Sequence, residues 1–92
     1  MSSEFEWDPE KAVWNLDKHG VAFEEAASVF FDPLSITIDD PKHSAEERRS
    51  IIIGHSILQR ILVVVHTDRG DKIRLVSARA ATPAEKRNYE RE

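Results

Sequence analysis

The sequence predicts an α+β domain: two N-terminal helices packed on an antiparallel sheet of about four strands, followed by a short C-terminal helix. Three observations carry this. Apolar residues recur at helical spacing in the first third of the chain, alternating and β-branched runs fill residues 35–80, and a strong helix-start signature follows at Thr82. The 92 residues are enough for one domain, and 40% hydrophobic with 33% charged residues is a globular composition.

The elements follow in order. Phe5-Glu6-Trp7 alternates and reads as a short edge strand. Asp8 then offers a capping carboxylate and Pro9 suits the first helical position, so a helix is expected from Pro9 to His19, stopped by Gly20. Ala12, Val13 and Leu16 form its expected apolar stripe. A second helix is expected from Phe23 to Phe31, burying Phe23, Ala26, Ala27 and Phe30 and ending at Asp32-Pro33; Ala22 gives it no side-chain cap. Ser35 to Ile38 alternates as a strand, and Asp39 to Glu47 reads as a polar loop. Arg48 to His55 is a further strand, in which Gly54 marks an end or a bulge. After a turn near Ile57 to Gln59, the β-branched run Ile61 to Thr67 predicts a central strand covered on both faces. Asp68 to Asp71 forms a tight turn, and Lys72 to Ala80 the last strand of an antiparallel meander. Thr82, Pro83 and Glu85 compose a capping box and a first-turn proline, so a final helix should run from Pro83 to about Arg91.

Composition excludes several classes. With no cysteine there is neither a disulfide framework nor a thiolate metal site. His19, His43, His55 and His66 form no helical metal-binding pair, so no metal and no cofactor are expected. The acidic start lacks the apolar core of a signal peptide, and the runs at Ile51–Ile53 and Ile61–Val65 are too short to span a bilayer, which predicts a cytoplasmic protein with no membrane partner. Ser77 sits in Val-Ser-Ala-Arg, not in the strained turn that exposes a nucleophilic serine.

Charge is uneven. Residues 1–47 hold 3 lysines, no arginine and 12 carboxylates, whereas all 8 arginines lie in residues 48–92. An acidic first half invites a basic partner segment; a basic second half invites phosphate, which guanidinium groups bind bidentately. Arg48, Arg49, Arg74 and Arg79 lie on expected strands, with Lys18 and His19 at a helix end. Arg74 and Arg79 are five residues apart, so a regular strand points them to opposite faces. Only a bulge, or a strand ending before Arg79, brings them together. Arg48 and Arg49 also point opposite ways, so at most one joins a shared site. Cations at a helix C-terminus such as Lys18 and His19 also interact favourably with the helix dipole, whatever else they do.

Several segments occur in a telling order: Phe5-Glu6-Trp7-Asp8-Pro9, Asn15-x-x-Lys18-His19-Gly20-Val21, Phe23-Glu24-Glu25-Ala26, Val29-Phe30-x-Asp32-Pro33, Glu47-Arg48, Gly54, Ile73-Arg74-Leu75-Val76-Ser77-Ala78-Arg79 and Glu85-x-x-x-Tyr89. This ordered set resembles the BrnT toxin family across essentially the whole chain. Ala22 departs from the Ser or Thr cap that the family often carries there.

The resemblance implies a single toxin domain, residues 1–92, with a fold similar to RelE and ParE toxins. It also implies a ribonuclease that stops translation and is neutralised by a DNA-binding BrnA-type antitoxin, operator DNA being reached only through that complex. Cleavage without metal would use the RNA's own 2′-hydroxyl as nucleophile, so the protein must stabilise phosphorane charge and move two protons. Arg48, Arg74 and Arg79, at matching family positions, are the expected charge stabilisers. His19 is the expected proton-transfer group on its reference pKa. Lys18, Arg49 and Tyr89 are expected RNA contacts, although an aromatic such as Tyr89 also serves to anchor its helix. The competing expectation is a catalytically silent module that binds the antitoxin and acts as co-repressor of its operon. Direct DNA binding finds no helix-turn-helix and only acidic leading helices, and a gyrase-poison role rests on fold analogy alone.

Overall fold

The computed structural model of the protein describes residues 4–40 and 48–91. Strand β1 (Glu4–Glu6) leads into helices α1 (Pro9–His19) and α2 (Phe23–Ser28), the second continued by a 3-10 turn (Val29–Phe31). Strands β2 (Ile36–Asp39), β3 (Ser50–His55), β4 (Ile61–Arg69) and β5 (Lys72–Ala80) follow, then helix α3 (Pro83–Glu90). The polar loop expected over Asp39 to Glu47 lies, beyond Asp40, outside the described residues.

The described residues form a sheet of five strands in the order β1-β5-β4-β3-β2. The expected antiparallel sheet of about four strands is therefore corrected in one respect: β1 joins the meander as an outer strand parallel to β5, pairing Glu4 to Glu6 with Lys72 to Arg74. A parallel partner 68 residues away leaves no local signature in the sequence. The β4–β5 loop is the two residues Gly70-Asp71, with Gly70 at φ 64°, a conformation that costs glycine nothing. Helix ends follow their caps. Asp8 accepts from the Glu10 amide at 2.9 Å, Gly20 adopts φ 70° and donates its amide to Leu16, and Thr82 and Glu85 close a reciprocal capping box.

Strand alternation gives the sheet two different faces. On one, Val21, Phe23, Ala26 and Val29 from the helical layer pack against Ile52, Leu62, Val64, Leu75 and Ala78. On the other, among the described residues, α3 alone lies across the strands, and Tyr89 packs with Ile61, Val63 and Ala81 beside Ile36, Ile51 and Ile53. The expected inward residues of the second helix hold, with Ala27 and Phe30 partly buried.

The apolar stripe expected for the first helix does not hold. Val13, Trp14 and Leu16 are 71%, 55% and 51% exposed, whereas Asn15 is fully buried. Its side-chain amide donates to the carbonyls of Val21 and Ala78, each at 2.9 Å, and its oxygen accepts from the Ala78 amide at 3.1 Å. The helix is thus rotated by a polar requirement. Burying Asn15 places Ala12 beside the core and turns Val13 and Leu16 outward.

A second polar cluster ties α2 to the β3–β4 turn. The buried Glu25 carboxylate accepts from Ser56 Oγ at 2.6 Å and from Arg60 Nε at 2.9 Å, with a further short contact to Arg60 Nη2. Arg60 Nη2 also donates to the Gly20 carbonyl at 3.0 Å. These bonds, led by the one from Arg60, outweigh burial and hold the Glu25 carboxyl below its ordinary range.

Two predictions follow from these buried groups. Asn15→Leu strands two backbone groups of Ala78 and one of Val21, and it should lower unfolding free energy by on the order of 3 kcal/mol in urea titrations. Among the described residues neither ring nitrogen of the buried His66 is hydrogen-bonded; the ring packs edge-on to Phe30 and is held neutral because burial lowers its pKa from 6.5. Above that value the ring is neutral folded and unfolded; below it, the unfolded chain takes a proton that the folded state refuses. Stability should therefore fall as pH drops below about 6.5. In His66→Leu that first acid-induced decline should vanish, leaving the later carboxylate-linked one.

Candidate active site

The sheet face that carries α3 holds the arginines. Val65 pairs with Ser77, but His66 pairs with Leu75, so Val76 is an extra residue in β5 without a partner. This bulge resets the alternation. Ile73 and Leu75 face the helices, as does Ala78, while Arg74 and Arg79 both fall on the opposite face. The condition that the sequence imposes for convergence is met. Across that face Arg79 stands opposite Val63, which pairs with Ile53 and so with Ile36; Arg74 stands opposite Thr67.

Along the Arg79 row, beside α3, lies a groove of about 310 Å³, floored by Ile36, Ile38, Ile51, Ile53 and Val63 and walled by Arg79, Glu85, Asn88 and Tyr89. Arg79 is fixed there: its Nη1 and Nη2 donate to the two oxygens of Glu85 at 2.8 and 2.9 Å, and Nη1 also reaches the Ala80 carbonyl. The guanidinium beside it, helped by the Thr82 amide and hydroxyl, pushes the Glu85 carboxyl down to about 2. The pair is thus charged at any ordinary pH. Arg74 is held more loosely by Glu6, at 3.3 Å. Arg48 is exposed at the end of the sheet and its carbonyl accepts from Thr67 Oγ1 at 2.7 Å, so Arg48 and Arg74 flank Thr67. Arg49 is half-buried, and its carbonyl accepts from the Asp40 amide.

Of the remaining candidates, Lys18 and His19 are not brought to these arginines, whereas Tyr89 lines the same groove as Arg79. Lys18 and His19 end a helix packed on the other face. The Lys18 ammonium lies 4.7 Å from the Trp14 ring centre, and the His19 ring sits edge-on to the same indole. Tyr89 is buried, with its ring against the groove and its hydroxyl turned away to Asp32. Among the described residues no group of three or more histidines or carboxylates is arranged to hold a metal ion.

Sequence reasoning missed a second constellation at the far end of α3. Asp32, just before Pro33, ends the 3-10 turn. Its Oδ2 accepts the Tyr89 hydroxyl and, at 2.8 Å, the His55 amide, while Oδ1 accepts the Leu34 amide at 2.9 Å. His55 Nδ1 lies 3.0 Å from the Tyr89 hydroxyl oxygen. Burial opposes charge on Asp32, but these three donors prevail and hold its carboxyl below the usual range. Burial and the bond to Asp32 push the Tyr89 hydroxyl up to about 12, so it stays protonated. The missed signal was Gly54, which forms no bulge and pairs regularly with Leu62. A glycine inside a strand also marks a close approach, and here it is the Asp32 carboxylate that approaches.

These geometries define a small α+β domain with an arginine-bearing groove on a half-open sheet. Comparison with known proteins identifies the class. Residues 7–85 match the family of BrnT ribonuclease toxins of type II toxin–antitoxin systems. The chain belongs to that family. Its fold is similar to that in the 1.1 Å crystal structure of the Brucella abortus ribonuclease toxin BrnT, with a TM-score of 0.69 and 21% identity over 88% of this chain and 99% of that one. No curated protein sequence matches the chain. Among the described residues no helix is long and apolar enough to cross a membrane.

A Cβ added at Gly54 would lie 2.9 Å from Asp32 Oδ2, 3.0 Å from Ser35 Cβ and 3.2 Å from Val29 Cγ1. Gly54→Ala should therefore displace Asp32, cost roughly 1–3 kcal/mol of stability, and change the His55 ring signals in NMR spectra. An unchanged spectrum would mean that the carboxylate does not need this approach.

Proposed function

We propose that this chain is a metal-independent endoribonuclease that cleaves RNA through 2′-hydroxyl attack and thereby inhibits translation in the cytoplasm. Its RNA lies against the sheet face that carries Arg74 and Arg79. The observation that carries the reading is the Val76 bulge, which puts both arginines on one face. The strand residues that line the groove beside Arg79 are apolar, Arg74 lies on the same face beyond it, and two guanidinium groups on one face suit a chain of phosphodiesters. Glu85 engages only the terminal nitrogens of Arg79, so the Nε–H remains for a phosphate oxygen. At most one of Arg48 and Arg49 adds to this face, and Arg49 is the one in alternation with Ile51 and Ile53, which line it. A protein antitoxin of the DNA-binding BrnA type covers this face and carries the complex to operator DNA.

One observation favours a second reading. Both arginines already have carboxylate partners, Glu6 and Glu85, which lowers the net charge that the face offers to RNA. That suits a catalytically silent module that holds its antitoxin and acts as co-repressor.

Cleavage of a defined RNA by purified protein in excess EDTA, with end-group analysis, separates the two. The ribonuclease reading expects 2′,3′-cyclic phosphate and 5′-hydroxyl ends. It also expects losses on the order of a hundredfold in Arg74→Ala and Arg79→Ala with melting temperatures preserved. A folded protein that neither cleaves RNA nor arrests growth when expressed without antitoxin is the silent module.

A further inference from the structure

We propose that His55 is the proton acceptor in RNA cleavage, positioned by Tyr89 and Asp32, and that the scissile phosphate sits in the cleft between α3 and the β3–β4 turn. The proposal rests on the ribonuclease reading above. A tyrosine hydroxyl has one proton to give. Tyr89 gives it to Asp32 Oδ2, so the hydroxyl turns a lone pair toward His55. At 3.0 Å, His55 Nδ1 can hold that contact only as the donor, which places the neutral ring's hydrogen on Nδ1. The lone pair is then on Nε2, which makes no hydrogen bond among the described residues. This is the tautomer that a general base needs.

The surroundings suit the role. The His55 side chain is 44% exposed while Asp32 behind it is 10% exposed, so the acceptor faces solvent and its support does not. Once Nε2 takes a proton, the imidazolium has a carboxylate 4.0 Å from Nδ1 to stabilise it. The cleft beside the ring is lined by Arg60, Lys86 and Glu90. Arg60 is committed to Glu25, whereas Lys86 has no carboxylate partner among the described residues and is free to meet a phosphate oxygen. The ionisable groups that face His55 are thus Asp32 from the 3-10 turn, Arg60 from the β3–β4 turn, and Lys86, Tyr89 and Glu90 from α3. No such chain supports His19, whose ring rests on Trp14.

The step balances without a co-reactant. The 2′-oxygen bonds to phosphorus as its proton passes to Nε2. The bond from phosphorus to the 5′-oxygen breaks, and that oxygen takes a proton from water. The hydroxide so formed recovers the proton from His55.

Kinetics of RNA cleavage by the full chain in EDTA test this. His55→Gln should lower kcat by about a hundredfold, abolish the fall of rate on acidification that protonation of Nε2 causes, and leave the melting temperature unchanged. Tyr89→Phe, which keeps the ring packing and removes only the hydroxyl bridge, should lower kcat by roughly tenfold with KM unchanged. Lys86→Ala should instead raise KM. Retention of wild-type kcat and pH profile in His55→Gln, while Arg79→Ala is still impaired, overturns this proposal and spares the ribonuclease reading. Absence of cleavage by the wild-type protein overturns both.

Discussion

The side-chain amide of Asn15 is the constraint on which the rest of the molecule depends. Strand β5 needs two neighbours, but β1 covers only Lys72 to Arg74. At Ala78 the outer edge of the sheet is buried under the helices with an amide and a carbonyl that no strand meets. Asn15 supplies both partners and spends its remaining hydrogen on Val21. An unpaired buried backbone group costs about 1–3 kcal/mol, so one amide here does the work of a strand residue. It also sets the rotation of α1, the entry of α2 through Val21, and the anchoring of β5 at the point where Arg79 must be presented.

This explains what the sequence could and could not show. Helix ends rest on neighbours in the chain, and Asp8, Gly20 and the Thr82–Glu85 box made them legible. The rotation of α1 was not legible, because the partner of Asn15 is 63 residues away and a polar residue does not enter an apolar count. The parallel pairing of β1 is non-local in the same sense. At the candidate site the residue types were legible and their convergence was not. Nothing about Val76 marks it as a bulge, yet this one unpaired residue decides whether Arg74 and Arg79 share a face. His19 could be chosen on its chemistry alone; its place on the other side of the sheet is a tertiary fact.

The charge asymmetry has an internal use. Carboxylates of the acidic first half pair with cations of the second: Glu25 with Arg60, Glu6 with Arg74, and Glu4 with Lys72. In the first, the Glu25 carboxylate is buried and accepts on both oxygens, although Arg60 is 41% exposed, so it fixes α2 on the β3–β4 turn; the other two are exposed enough to add little. The two pairs along β1 and β5 do bring opposite charges together across the parallel strands. Part of the field that the sequence offers a partner is therefore spent inside the molecule.

Asp32 shows how folding and site meet at one carboxylate. Its Oδ1 turns the chain at Leu34 and its Oδ2 caps the end of β3 at the His55 amide, both of which are structural duties. The same Oδ2 accepts Tyr89, the residue that pins α3 to the sheet. A carboxylate fixed by three donors is too well satisfied to act as a base itself, and its depressed pKa makes it a poor one. What it can do is orient. Through Tyr89 it sets the tautomer of His55, and through the His55 amide it sets the strand that carries the ring. Any variation that loosens α3 therefore disturbs the imidazole, and any that moves Asp32 disturbs both. The glycine at position 54 is the condition for this economy, since a side chain there would occupy the space that the carboxylate fills.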